Sequence, residues 1–504
     1  MRRINFQVFT DTIAWRPLAL LIGLVLLAFY AIGGDMRPVI LWTDALIFLL
    51  VTSLIGLVFY VRSREHLRAP WRQVFRRKLG MSAMVVLIFY VAIGLMDSLH
   101  YRPVLEHNNK GETIYAAEVL SLFDHLATPI RERVEKSYSS PFATRLHSKE
   151  SVEQADGSTQ RLYPRLKFGG AHLADPDQGR FSDVIAISVQ ALIKALLLWA
   201  FIGLLLVWSL THNTTTSIRQ QLGLMVRGQT DIPWRLTLIT LGTMLTLSWI
   251  AWDLSHFYHI FGTDKVGQDV FYQSLKSIRT GLVIGTLTTL IMLPFAIILG
   301  IMAGYLRGWV DDVIQYLYTT LSSIPGVLLI AAAVLMMEVY MNNNPGLFET
   351  STERADMRLL YLCLILGITS WTGLCRLLRG EALKLRELEY IQAAKAFGVG
   401  HAKIIGRHIL PNVLHIVLIA VVLDFSGLVL AEAVLSYVGV GVDPTMNSWG
   451  NMINSARLEM ARDPLVWWSL LAAFVFMFAL VLAANLFSDA VRDAFDPRLR
   501  ERHE

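Results

Sequence analysis

Apolar residues in this chain gather into ten long stretches separated by shorter polar connections. They run about Pro17–Gly33, Val39–Val61, Leu79–Met96, Val184–Leu210, Leu236–Trp252, Leu282–Tyr305, Val313–Leu335, Leu359–Leu374, Val413–Val434 and Leu465–Leu486. Each is roughly 17 to 27 residues long, enough for an α-helix to cross a hydrocarbon core about 30 Å thick. The pattern predicts an all-α membrane protein with about ten transmembrane helices. The longest polar interval lies between Asp97 and Asp183. Within it Val119, Leu122, Leu126, Ile130 and Val134 recur at helical spacing and predict a helix inside Thr113–Lys136. Asp156-Gly157-Ser158 and Gly169-Gly170 predict turns between short extended pieces, so this interval reads as a small external domain or cap.

Charge sets the orientation. Arg62 to Lys78 holds seven basic residues against Glu65 alone, and Arg376 to Arg407 holds seven against Glu381, Glu387 and Glu389. Ten spans place both loops on one side, which the bias of Lys and Arg makes cytoplasmic, together with both termini. The segment between Asp97 and Asp183 then falls outside, with eleven basic and eleven acidic residues. Met1, Arg2 and Arg3 ahead of the first stretch resemble a signal sequence, but no clean small-residue cleavage site follows, and a retained first helix is expected.

Composition narrows the class further. Of 504 residues, 54% are hydrophobic and 17% charged, and the mean hydropathy is +0.49, which excludes a soluble enzyme or a disordered chain. The net charge of +5 is spent on loops beside the spans, so no nucleic-acid partner is expected. Cys363 and Cys375 lie twelve positions apart in one apolar segment, roughly 18 Å along a helix and too far for a disulfide.

Few residues offer chemistry. No G-x-x-x-x-G-K-[ST] loop is present to cradle phosphates, so any ATP is used by partner subunits and no cofactor is expected on this chain. No catalytic constellation is seen and the chain is not read as an enzyme. His256 and His259 form an H-x-x-H, but nothing completes a metal set, and an aromatic-rich helix end is the plainer reading. Lys194, Asp424 and Glu432 lie in or near apolar spans, where ionisable groups are functional suspects. Asp424 and Glu432 fall on one side of a helix as a possible pathway; inward-facing hydrogen-bonded groups, and a snorkelling Lys194, are the alternatives.

The cytoplasmic loop from Glu389 through Gln392, Ala393, Ala394 and Gly398 to Leu410-Pro411 reads as two short helices meeting at a glycine. Small alanines would let such a knob sit close against a partner; an inert loop is equally compatible with the residues alone.

This loop resembles the EAA loop of ABC importer permeases, in the spacing of the dipeptide/oligopeptide/nickel permease family. Four further segments are similar to that family's motifs in the same order. They are Gly262-Thr263-Asp264-Lys265-Val266-Gly267-Gln268-Asp269-Val270, Ala303 to Asp311, Ser448-Trp449-Gly450, and Asp489 to Leu499. Trp71 to Met96, a basic stretch Arg72 to Lys78 followed by a span from Leu79, is similar to the family's amphipathic lead-in and first core helix. The resemblance implies a six-span core built from the third and the sixth to tenth spans. The chain then divides into an added hairpin (1–62), the lead-in and first core helix (63–97), an extracytoplasmic insertion (98–183), a second added hairpin (184–252) and the main core (253–504), with its coupling loop at 379–411.

The implied function is the permease subunit of an ATP-driven importer of peptides or similar small solutes in the bacterial inner membrane. The implied partners are a second homologous permease, cytoplasmic ABC ATPases, an extracytoplasmic solute-binding protein and the membrane lipid. Gln392 replaces the family glutamate and Gln268 the family arginine, which removes a charge at each place. Two other readings are an ion-gradient-driven secondary transporter using Asp424 and Glu432, and a membrane receptor sensing through the external insertion. Short intracellular loops speak against the receptor.

Overall fold

A computed structural model describes residues 36–63, 65–107, 113–153, 159–212, 218–348 and 350–495. The expected first span at Pro17–Gly33, the turn at Asp156-Gly157-Ser158 and the final Asp496-Pro497-Arg498-Leu499 lie outside these residues. In chain order the elements are β1 (Met36–Val39), α1 (Trp42–Ser63), α2 (Glu65–Arg76), α3 (Lys78–Asp97), β2 (His100–His107), β3 (Thr113–Tyr115), β4 (Leu120–Ser121), α4 (Leu122–Leu126), α5 (Thr128–Arg131), β5 (Glu150–Glu153) and β6 (Thr159–Leu162). Then follow α6 (Pro176–His212), α7 (Ile218–Arg227), α8 (Trp234–Ser255), α9 (Val270–Leu306), α10 (Trp309–Ser323), α11 (Gly326–Asn343), α12 (Ser351–Ser370) and α13 (Thr372–Arg386). The chain continues through α14 (Glu389–Ala396), α15 (His401–Ile404), a π-turn (Ile405–Ile409), α16 (Leu410–Tyr437), α17 (Trp449–Glu459) and α18 (Trp468–Phe495).

Among the described residues, nine helical segments are long and apolar enough to cross a membrane, and they correspond to the second to tenth expected spans. Their boundaries differ in one instructive place. The expected span Val313–Leu335 is broken in two at Ile324-Pro325, where Ile324 is extended (φ −86°, ψ 132°). Proline lacks the N–H of the helical ladder and pushes the residue before it out of the α region. The membrane-length helix is therefore α11, and α10 is a separate amphipathic helix that buries Asp311, Ile314 and Tyr318. Cys363 and Cys375 likewise fall on α12 and α13, separated at Trp371, and both are buried thiols.

The chain divides into two compact units. The described residues of the first fall within Met1–Ile40, Phe48–Ile278 and Ser455–Ala483. It contains an antiparallel sheet in the order β1-β2-β3, with β4 also on β2, and a β5–β6 hairpin. The expected helix inside Thr113–Lys136 is absent as such: β3, β4, α4 and α5 occupy the interval. Ser121 ends the strand with a capping box on Asp124, and Pro129 begins a new turn, so helix formation is restarted twice. The buried apolar residues are Val119, Phe123, Ala127 and Ile130, while Leu126 and Val134 face solvent. In the same unit α8 packs against α6 and α3. A Cβ at Gly242 would lie 2.8 Å from the Trp199 ring, whose Nε1 donates to the Leu238 carbonyl. Lys194 Nζ is 2.7 Å from Asp253 on the neighbouring helix.

The second unit comprises Leu41–Ile47, Arg279–Asn454 and the described part of Ala484–Glu504. Its two apolar cores draw on α9, α11, α12, α13 and α16. Gly300 and Gly304, one turn apart on α9, let α13 come close, since their Cβ atoms would lie 2.8 Å from the Cys375 carbonyl and 2.5 Å from that of Arg379. Small residues spaced by four are how helices approach in lipid, where apolar transfer gives no drive.

Candidate functional site

The loop that joins α13 to α16 is a folded knob. Helix α14 ends in a Schellman turn: Gly398 N–H donates to the Lys395 carbonyl (3.0 Å) and Val399 N–H to that of Ala394 (3.1 Å). Gly398 has φ +76°, a conformation that costs other residues free energy. The inner side of the knob, Ile391, Ile404 and Ile409, is buried in the α9–α13–α16 core. Polar bonds fix its base. Arg386 donates to the Tyr305 carbonyl (2.9 Å), the Tyr305 hydroxyl meets His401 Nδ1 (3.0 Å), and Arg307 pairs with Glu387 (2.8 Å). Arg379 forms a two-pronged ion pair with Asp311 at 2.6 and 2.8 Å, which holds the Asp311 carboxyl below its usual range. Asn412, just after Leu410-Pro411, donates to the Tyr390 hydroxyl and so ties the start of α16 to α14.

The outer side is solvent-facing: Glu389, Gln392, Ala393, Gly398 and Phe397, the last 87% exposed. Ala394 turns inward, so only Ala393 of the two alanines is presented. Gln392 Nε2 donates to the Arg386 carbonyl (3.1 Å), so the residue at the family's glutamate position stabilises the knob from within. Phe397 was not singled out by sequence, because one aromatic residue between Ala396 and Gly398 has no spacing pattern to betray it.

The segment Gly262 to Asp269 is a tight anchor in the first unit. Gly262 (φ +66°) leaves room for the Ser139 carbonyl, which a Cβ would approach to 2.2 Å. Thr263 exchanges backbone and hydroxyl bonds with Ser137 and Ser139, and Trp468 Nε1 donates to its carbonyl. Asp264 accepts the Val266 and Gln268 N–H groups, and Gly267 (φ +80°) accepts from Glu135 N–H. The Gln268 side-chain oxygen accepts from Gln273 Nε2 at 3.2 Å. Asp269 caps α9 by accepting from Phe271 and Tyr272, and its second oxygen holds His259 Nδ1 at 2.7 Å.

His259 Nε2 faces Glu135 at 3.5 Å, and Glu135 also accepts the N–H groups of Lys167, Phe168 and Gly169. The H-x-x-H is thereby divided: His259 lies between two carboxylates, while His256 bonds the Trp252 carbonyl. Burial opposes charge on His259, but the bonds to Asp269 and Glu135 prevail and raise it to about 9. Burial likewise opposes ionisation of Glu135, yet His259 and the three backbone donors hold it below its usual value.

A histidine raised above its ordinary 6.5 contributes stability that is complete below that pH and lost as pH climbs through about 9. A carboxylate held below its ordinary 4.5 contributes above that pH and loses the contribution as pH falls further. Resistance of the 135–169 segment to limited proteolysis should therefore be greatest between about pH 5 and 7. His259→Gln should flatten the alkaline decline; a decline unchanged in that variant would contradict the ion triad.

The two suspected membrane carboxylates are in different surroundings. Glu432 is buried, accepts the Ser436 hydroxyl at 2.7 Å and bonds Ser448, beside Gly450. Trp449 is buried against Gly281. Asp424 is half-buried on the same helix and has no hydrogen-bond or ion partner among the described residues.

A further charged cluster was not anticipated. Arg279 on α9 bonds Asp44 (2.6 Å), Thr43 (3.0 Å) and Asp356 (3.5 Å), while Thr43 also binds Asp356 through its N–H and hydroxyl. Its members come from three distant places in the chain, each reading alone as an ordinary span end.

Comparison with known proteins now bears on this geometry. The family described as "binding-protein-dependent transport system inner membrane component" matches residues 296–501, which include the knob, Asp424, Glu432 and Trp449-Gly450. The dipeptide transport system permease of Bacillus subtilis is 30% identical over 242 residues, 48% of this chain and 69% of the relative. The glutathione transport system permease of Pectobacterium atrosepticum is 33% identical over 244 residues, covering 48% and 73%. The chain belongs to this family. It is an ABC importer permease and a multi-pass protein of the bacterial inner membrane, rather than a secondary transporter or a receptor. The oligopeptide transport system permease of Haemophilus influenzae is 30% identical over 243 residues, 48% of this permease and 71% of its own. Among solved structures, the inward-facing MetNI methionine ABC transporter aligns with 45% of this permease and 97% of its own chain, at 14% identity and a TM-score of 0.33.

Proposed function

We propose that this permease carries peptides or similar small solutes inward, as one half of a pathway shared with a second homologous permease. Cytoplasmic ABC ATPases use the ATP; an extracytoplasmic solute-binding protein delivers the cargo; both termini lie inside. The observation that carries the coupling reading is the exposed, glycine-stopped knob at Glu389–Gly398, whose inner face is rooted in the helical core. ATP binding can bias the helices only if the ATPases touch the knob differently in the outward- and inward-open states. Ala393, Phe397 and Gly398 form that contact, and Gln392, Leu410 and Pro411 hold its shape.

Dipeptide, oligopeptide and glutathione permeases among the relatives support a peptide cargo. The segments 1–62, 98–183 and 184–252 are additions to a core formed by 63–97 and 253–504. The intramembrane carboxylates Asp424 and Glu432 belong to the pathway region, Asp424 in contact with cargo and Glu432 fixing the helix end.

Gentle purification from native membranes, followed by reconstitution of the recovered complex in proteoliposomes, tests this reading. ATPase and permease partners should co-purify, and a labelled tripeptide should accumulate only with internal ATP. Peptide accumulation driven by a proton or sodium gradient without ATP would overturn it.

A further inference from the structure

Helix α16 carries an ionisable group near its middle that no described residue satisfies. Asp424 is the fifteenth of 28 residues in Leu410–Tyr437, roughly 21 Å along the axis at 1.5 Å per residue. A carboxylate at that depth is costly unless it meets a cation, a donor or water. Three other ionisable groups inside the spans follow this rule: Lys194 is held by Asp253, Arg279 by Asp44 and Asp356, and Glu432 by Ser436 and Ser448. Asp424 alone of the sequence-suspected groups has no partner among the described residues.

Its position on the helix says where a partner would come from. Leu423, Gly427, Leu430, Val434 and Tyr437 form an exposed strip at alternating spacings of four and three. Val413, Val417, Leu428, Glu432 and Leu435 are buried on the opposite side. Asp424, itself half-buried, lies between the two sides, four residues before buried Leu428 and three before exposed Gly427. Three residues on, a Cβ built at Gly427 would meet nothing within 4 Å, so the carboxylate borders an open notch. A helix side bordered by an unpaired carboxylate is not suited to lipid.

We propose that Asp424 receives the α-ammonium group of the transported peptide, a reading that rests on the peptide-importer function above. The cargoes named for the relatives, dipeptides, oligopeptides and glutathione, differ in side chains and length but share an ammonium terminus. An ammonium is a compact cation with three donors and no fixed plane, which fits one carboxylate beside a gap left by glycine. Such a contact selects for the charge every cargo carries and ignores the side chains that vary.

The test uses the complete complex in proteoliposomes, with its binding protein, and two tripeptides of neutral side chains, one with a free amine and one N-acetylated. Asp424→Asn should lower ATP-driven uptake of the free-amine peptide about tenfold, the effect of losing one charge-assisted hydrogen bond. Uptake of the acetylated peptide, however low, should change less than twofold, and Asp424→Glu should recover most of the free-amine uptake. Equal loss of both peptides, or loss of the second permease from the Asp424→Asn complex, would assign Asp424 to an ion pair between permeases and overturn the proposal. Unchanged uptake of both would also overturn it. If the unsubstituted complex carries neither peptide, the peptide-importer reading itself fails, an outcome distinct from any effect of the variant.

Discussion

Replacing Arg279 with methionine is expected to destabilise the protein by about 3–5 kcal/mol, the cost of breaking a buried ion pair from one side. Arg279 is 5% exposed, and Asp44 and Asp356 are each 1% exposed. Without the guanidinium, two carboxylates would share a dry site with Thr43, and desolvation would no longer be offset. Thermal unfolding in detergent reads the loss. The triple variant Asp44→Asn, Arg279→Met, Asp356→Asn should recover most of it, because neutral groups of similar volume often replace a buried ionic cluster at little cost. A single Arg279→Met variant as stable as the unsubstituted protein would show that the cluster is weakly held. The cluster fastens the first turn of α1 to α9 and α12, so its loss should also make the 42–47 segment more open to hydrogen exchange.

Gly398→Val should abolish coupling while leaving the bundle folded. A Cβ at Gly398 meets nothing within 4 Å, so crowding is not the difficulty. The difficulty is the φ of +76°, which costs an L-residue roughly 1–2 kcal/mol and a β-branched one more. Valine would reopen the turn and displace Phe397, the most exposed apolar side chain of the knob. ATP-driven uptake in proteoliposomes is expected to fall more than tenfold, with hydrolysis by the ATPases continuing; 1.4 kcal/mol lost at the contact already accounts for tenfold. Gly398→Asn, which tolerates the left-handed region, should keep uptake within about threefold. Normal uptake in the valine variant would remove the knob from the coupling path.

Much of the bundle could be read from one sequence because lipid imposes a simple rule: a spanning segment must satisfy its own backbone, so it is a long apolar helix. That rule located α1, α3, α6, α8, α9, α11, α12, α16 and α18. It failed at Val313–Leu335, where apolar content ran across a proline that local geometry could not accommodate. It also failed at Thr113–Lys136, where helical spacing was real but Ser121 and Pro129 each restarted the chain. The knob was legible as two short helices, since Gly398 and Pro411 act through their own backbones. Its inward Ala394 and outward Phe397 were not, because they depend on which side meets the core.

The sequence by itself determined that this is a helical membrane protein, where most of its described spans lie and where the turn at Gly398 stops the knob. These follow from hydropathy and backbone preference, which act over a few turns, whereas the permease reading came from the resemblance of its motifs. Only the tertiary structure decided the meaning of individual charges. Asp424 and Glu432 look alike eight residues apart, yet one is enclosed by Ser436, Ser448 and Gly450 and the other has no partner among the described residues. Arg279, Asp44 and Asp356 look unrelated, yet they form one buried cluster. The energy of a charge in a membrane protein depends on what lies within a few ångströms, and that is set by packing between segments far apart in the chain.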